Sequence, residues 1–299
     1  MIEEKENKPN KLHSWVLASR PKTLPAATVP VIVGTALACF EGKMQPIAAI
    51  VALICSLLIQ IGTNFVNDLY DFLAGADKKE RSGPLRVLAS GLISVKEMKF
   101  GIFITFTLAF LLGLYLVYLG GIYILIIGIL SILAGLAYTA GPYPLAYHGL
   151  GDIFVFIFFG VVGTVGTYYV QALRISFLSI LASVPVGALI TNILVINNYR
   201  DTDEDRTVGK NTTAVIFGKR FARFQYIILL TLSYLIPLVV YINFIPAIWV
   251  LLPLLTLPIA VKLVKMLFSF EGKQLNKTLE LTAKLSAIYG FLFALGILL

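Results

Sequence analysis

Cysteine and histidine are nearly missing from this chain of 299 residues, which has two of each. Cys39 and Cys55 lie inside apolar runs, with no metal-ligand spacing and no disulfide framework, so they read as small core residues. His13 and His148 stand alone, which argues against a histidine metal site. Charge is scarce as well: charged residues make up 13% of the chain, where a soluble domain has roughly 25%. A cleavable leader is not expected, because MIEEKENKPNKLHSW has no apolar stretch followed by a small-residue cleavage site; it reads as a short cytoplasmic tail.

What the chain has in excess is hydrophobicity, at 58% of residues and a mean hydropathy of +0.88. This composition predicts an all-α integral membrane protein, read as a single membrane-embedded domain over residues 1–299. Nine apolar segments are expected to span, at roughly 23–40, 46–66, 100–118, 122–139, 153–172, 176–196, 225–243, 245–261 and 281–298. Most reach the roughly 17–25 residues that a helix needs to cross the hydrocarbon layer. The least regular is 245–261, with Pro246, Pro253 and Pro258 inside it.

The net charge of +8 does not point to nucleic acid, because its distribution follows the spans. All Lys and Arg residues except Lys43 and Arg174 fall on one side if the N-terminus is cytoplasmic, as the positive-inside rule requires. The expectation is an inner (cytoplasmic) membrane protein whose cap loops and functional site lie at the cytoplasmic face. No protein partner is predicted; the partners are the lipid bilayer and small substrates.

Acids are rare within the apolar stretches, yet two groups of them sit where spans end. The first is Asn64-Phe-Val-Asn67-Asp68-Leu-Tyr-Asp71, with Asp77 beyond. The second is Asn197-Asn198-Tyr-Arg200-Asp201-Thr-Asp203-Glu204-Asp205. On a helix, Asp68 and Asp71 share a face with Asn64 one turn earlier, and Asp201 and Asp205 share another. Asp203 and Glu204 point off that face. Acids beside lipid are costly unless they are solvated, paired or bound to a cation. Two such faces turned toward each other suit Mg²⁺ gripping a diphosphate, since Mg²⁺ takes one or two carboxylates plus phosphate oxygens. The loops after them supply Arg81, Arg86 and Lys210 for the remaining phosphate oxygens. A long isoprenoid diphosphate fits both this polar end and a greasy cavity below it. The echo between Asn67-Asp-Leu-Tyr-Asp71 and Asn197-Asn-Tyr-Arg-Asp201, four spans apart, suggests two four-helix halves, about 23–139 and 153–261, plus a ninth helix around a central cavity.

A cation-coupled transporter also uses intramembrane acids, but these acids lie at one face and no span carries a central charge. Lipid-alcohol phosphotransfer would need an Asp-Gly-x-x-Ala-Arg run, which is not found.

These motifs resemble the UbiA superfamily of intramembrane aromatic prenyltransferases. Asn64, Asn67, Asp68, Asp71 and Asp77 fit its first signature, and Asn197, Asp201 and Asp205 its second. The likeness spans nearly the whole chain, including Arg20-Pro-Lys22-Thr and Tyr138. Two further stretches resemble the group acting on 1,4-dihydroxy-2-naphthoate in menaquinone synthesis. They are Gly75-x-Asp77-x-x-x-Arg81-x-Gly83-Pro84-x-Arg86 and the segment from Tyr138 to Asp152, where that group often has Glu in place of Asp152. Enzymes for 4-hydroxybenzoate or another aromatic acceptor are the alternative.

The resemblance implies a Mg²⁺-dependent transfer of a prenyl group from prenyl diphosphate, with loss of diphosphate and CO₂. Asp68, Asp71, Asp201 and Asp205 would hold the metal. Asn64, Asn67, Asp77, Asn197 and Asn198 would complete metal or substrate contacts. Lys22, Arg81, Arg86, Arg200 and Lys210 would neutralise the diphosphate, and Tyr138 would shelter the allylic cation. Tyr138, Tyr143, Tyr147 and His148 read equally well as site residues or as an interfacial belt.

Overall fold

The computed structural model describes residues 10–75 and 86–299, and among these residues the regular structure is helical apart from one isolated bridge between His148 and Asn211. Asp77 and Arg81 lie outside the described residues. A short helix, α1 (Lys11–Ser19), is capped by Asn10, whose side chain accepts from the His13 amide at 2.8 Å. It ends at Arg20, which adopts the left-handed conformation (φ 50°) just before Pro21.

The bundle follows: α2 (Leu24–Phe40), α3 (Pro46–Leu73), α4 (Val95–Gly120) and α5 (Ile122–Ala137). The next rod joins α6 (Gly151–Val155), a π-helical stretch (Phe156–Val162) and α7 (Gly163–Ala172). Then come α8 (Phe177–Thr207), α9 (Thr213–Asn243), α10 (Leu257–Ser269) and α11 (Leu275–Leu298). Among the described residues, eight of these rods are long and apolar enough to cross a membrane, and α5 is a shorter apolar ninth. All nine expected segments are present, and the protein is an integral membrane protein. The proline-rich segment starts as a 3₁₀ helix (Ile248–Thr256) and continues as α10.

Two helices overrun their expected ends. α3 has 28 residues and α8 has 31, so at ~1.5 Å per residue they measure about 42 and 46 Å, against about 30 Å of hydrocarbon. The acidic groups therefore belong to continuous helix rather than to loops. Hydropathy marks only the apolar part of a helix; backbone hydrogen bonding carries it onward into the polar cap.

The largest core joins α2, α7, α8, α9, α10 and α11 around Tyr168, Tyr226, Tyr289 and Phe293. Where the π-helical stretch crosses α8, Gly160 and Gly187 touch. A Cβ on Gly160 would stand 2.7 Å from the Gly187 Cα, so the close crossing needs glycine. A second cluster packs Val87, Leu88 and Ile93 of the loop after α3 onto Phe65 and Leu69, with Trp15 edge-on to Phe65. This packing holds the described part of that loop against the acidic face of α3.

Candidate active site

Asn64, Asp68 and Asp71 are all buried, as helical spacing predicted for one face of α3. Asn64 Nδ2 donates to the Ser19 carbonyl (2.9 Å) and to Thr23 Oγ1 (3.1 Å), tying α3 to the corner between α1 and α2. Asn67 accepts from Thr139 Oγ1 at 2.8 Å. Arg86, folded back by its loop, reaches both acids. Its Nη2 lies 3.0 Å from Asp71 Oδ2 and its Nη1 3.7 Å from Asp68 Oδ1. The Leu88 amide donates to Asp68 Oδ2 at 3.4 Å, and Tyr147 donates its hydroxyl to Asp71 Oδ1 at 3.0 Å.

At the end of α8, Arg200 forks onto the adjacent Asp201. Its Nε donates to Oδ1 and its Nη2 to Oδ2, both at 2.6 Å. The same guanidinium donates to Asn197 Oδ1 (2.9 Å) and to Asn276 Oδ1 (2.7 Å) on α11. Asn198 is buried beside them. Asp205 is buried, with Lys210 Nζ 3.9 Å away across a turn made at Gly209 (φ 72°). Asp203 points outward to Lys219 (2.9 Å), as the face argument required, and Glu204 is exposed.

The two acidic ends meet through the segment between α5 and α6. Tyr147 gives its hydroxyl to Asp71, lies under Lys210 Nζ (5.5 Å from the ring), and offers its carbonyl to the Asn211 amide (3.0 Å). The chain Asp71–Tyr147–Lys210–Asp205 is thus continuous. Of the four belt candidates, Tyr147 meets Asp71 and Tyr138 lines the cavity described below. Tyr143 and His148 stack on each other at 3.6 Å, and Tyr143 is exposed.

A cavity of about 310 Å³ opens beneath, between α2, α3, α4, α5 and the rod of α6, the π-helical stretch and α7. Gln60, Asn64, Asn67 and Tyr138 form its polar end, and residues such as Phe110 and Phe158 line its greasy body.

Two placements differ from the sequence reading. Lys22 is 84% exposed and faces Glu280 at 3.6 Å rather than the acids. The neighbouring Arg20 turns inward instead, with its Nη2 buried. A non-glycine residue at positive φ is the mark of a side chain held against local preference. The only hint in the sequence is that a residue preceding proline is turned away from the helix. Asn276, the outside support of Arg200, had no signal at all.

Paired carboxylates at two helix ends, beside the polar end of an apolar cavity in a membrane bundle, suit a substrate with an anionic head and a long apolar tail. The UbiA prenyltransferase family matches residues 27–288, and the chain belongs to that family. It is 39% identical over 302 residues to the 1,4-dihydroxy-2-naphthoate octaprenyltransferase of Escherichia coli (strain K12), covering 98% of each chain. The enzyme of the same name from Bacillus subtilis (strain 168) is 31% identical, covering 95% of this chain and 92% of that one. Among solved structures, a UbiA homologue from Archaeoglobus fulgidus bound to DMAPP and Mg²⁺ superimposes with a TM-score of 0.68. At 17% identity, over 94% of this chain and 99% of that one, this likeness shows the shared fold.

Proposed function

We propose that this prenyltransferase moves a long-chain prenyl group from prenyl diphosphate to 1,4-dihydroxy-2-naphthoate, releasing diphosphate and CO₂ and forming demethylmenaquinol. The observation that carries the reading is the continuous polar link between the two acidic helix ends, next to the polar end of a greasy cavity. The choice of acceptor is supported by the full-length relatives of that name and by the match of the Tyr138–Asp152 segment.

Among the described residues, no group of three or more His, Cys, Asp or Glu could hold a metal ion on its own. The acids form two pairs of hard oxygen donors, and Asp68 Oδ1 is buried without a hydrogen bond. Such pairs fit Mg²⁺, which completes its octahedron with phosphate oxygens and water. Asp68, Asp71, Asp201 and Asp205 would hold it, and when bound it supplies Lewis-acid stabilisation of the leaving diphosphate. Among the described residues, Arg86, Arg200 and Lys210 stand beside the acids and, with Arg20, are the cations that would take diphosphate oxygens. Asn64 and Asn67 keep the polar end of the cavity in register with α3. The allylic C–O bond breaks with its electron pair leaving on the diphosphate, and the cavity walls exclude water from the resulting cation. The Tyr138 ring and oxygen face that charge. The electron-rich naphthoate ring then attacks, and loss of CO₂ accompanies the return to aromaticity.

The same reading puts the N-terminus and the site at the cytoplasmic face of the cytoplasmic membrane, supported by the Lys and Arg asymmetry. Single cysteines at Lys43 and Arg174 should label from outside the cell, and one at Lys219 should not. The acceptor is tested by offering the purified chain Mg²⁺, a long-chain prenyl diphosphate and both labelled acids. Naphthoate product with released CO₂ is expected. Exclusive turnover of 4-hydroxybenzoate would remove the naphthoate assignment and leave prenyl transfer standing.

A further inference from the structure

Asp152 has no part in the chemistry above, and its surroundings are those of more than a structural acid. It stands at the start of α6 and is 4% exposed. Its two donors, Thr213 Oγ1 at 2.5 Å and Gln225 Nε2 at 2.9 Å, both come from α9 and both converge on Oδ2. Oδ1 is buried and accepts no hydrogen bond. A staple between α6 and α9 needs only the satisfied oxygen. A buried carboxylate oxygen left without a partner costs more than an ordinary hydrogen bond returns, so it calls for a reason.

Tyr138 supplies the reason. Its hydroxyl rests against Gly151, where a Cβ would lie 3.2 Å from the phenol oxygen. Gly151 is the residue just before Asp152, so the carboxylate and the phenol meet at the same end of α6. Tyr138 also lines the cavity beside Asn64 and Asn67. An acid with a spare acceptor and a phenol with a donor therefore stand together at the end of the cavity where the prenyl C–O bond would break.

We infer that Asp152 is a positioning residue acting through Tyr138: Oδ1 accepts the Tyr138 hydroxyl hydrogen across one water, and so aims the phenol oxygen and ring at the reacting carbon. This rests on the prenyl-transfer reading. As the C–O bond breaks, its electron pair departs with the diphosphate and positive charge stays on the allyl group. A fixed phenol oxygen backed by a carboxylate favours that charge, and neither residue makes or loses a covalent bond.

The test is a kinetic cycle on the full chain in detergent, with Mg²⁺ and a prenyl diphosphate, reading diphosphate release and naphthoate product separately. Asp152→Asn and Tyr138→Phe should each lower kcat about ten- to a hundredfold, with KM for prenyl diphosphate within about twofold. The double variant should be no slower than the slower single one, because the two groups act as a unit. Asp152→Glu should recover most of the rate. Thr213→Val, which removes only a donor to Oδ2, should lower Tm and keep kcat. Losses that multiply in the double variant, or full activity in Asp152→Asn, overturn the inference. A change confined to KM for the aromatic acid also overturns it, because Asp152 would then be touching the acceptor. If Asp152→Asn does not fold, Asp152→Ser paired with Tyr138→Phe carries the same cycle. A chain that releases diphosphate but never prenylates the naphthoate defeats the acceptor assignment alone, and the cycle is still read from diphosphate release.

Discussion

The two acidic helix ends carry the same residue types and are held in opposite ways. At the end of α3, the partners of Asp68 and Asp71 come from far along the chain: Arg86 and Leu88 from the following loop, and Tyr147 from beyond α5. At the end of α8, Asp201 is held by the preceding residue, Arg200, and Asp205 faces Lys210 in the adjoining turn. Asn276 of α11 then anchors the Arg200 fork. The α3 end is thus assembled by tertiary contacts, whereas most of the α8 end is present once its helix has formed. Loop movement can rearrange the first, while the second moves as one piece with its helix.

The largest expected effect would erase this contrast. If both ends serve the metal, Asp68→Asn, Asp71→Asn, Asp201→Asn and Asp205→Asn should each remove most turnover, with losses on the order of several kcal/mol in barrier. Asp203→Asn and Glu204→Gln should cost far less, since both face solvent. Steady-state kinetics decide the matter: a dispensable Asp201 beside an indispensable Asp203 would break the face argument.

Next in size is the loss of a guanidinium. Arg86→Gln and Arg200→Gln each strand buried carboxylate and should destabilise by about 3–5 kcal/mol. The contrast predicts different symptoms in limited proteolysis. Arg86→Gln should open the segment 86–94 to cleavage, while Arg200→Gln should lower Tm without a new local cut. Identical cleavage patterns would mean that the two ends are built alike.

Tyr147→Phe deletes one hydrogen bond to a carboxylate and should cost about 1.5–3 kcal/mol, together with a weaker Mg²⁺ dependence of activity. An unchanged Mg²⁺ titration would remove Tyr147 as the bridge between the ends. The smallest effect separates two neighbours at the corner after α1. Lys22→Ala, at an exposed ion pair, should leave both Tm and KM for prenyl diphosphate unchanged, whereas Arg20→Gln should raise that KM. The reverse result would restore Lys22 to the diphosphate.

Much of the site could be read before any fold was known. Asp68 and Asp71 are three apart, and Asp201 and Asp205 four apart, so helical geometry alone put each pair on one face and turned Asp203 away. It could not choose between Arg20 and Lys22. That choice depends on a left-handed residue between a capped helix and a proline, not on residue type. Nor could it rank Tyr147 above Tyr143 and His148, because the Asp71 that selects Tyr147 lies 76 residues earlier.

The membrane class, the nine apolar segments and the placing of the acids at the ends of apolar stretches are properties of local composition and helical period, so the sequence by itself determined them. The ends of α3 and α8 were decided by continued helix beyond the apolar stretch. Tertiary structure alone decided which cation meets which acid, where the cavity opens, and that Asp152 meets α9 through one oxygen. The physical reason is range. Hydropathy and periodicity act within a few turns, while each of these contacts joins segments that come together only when the bundle packs.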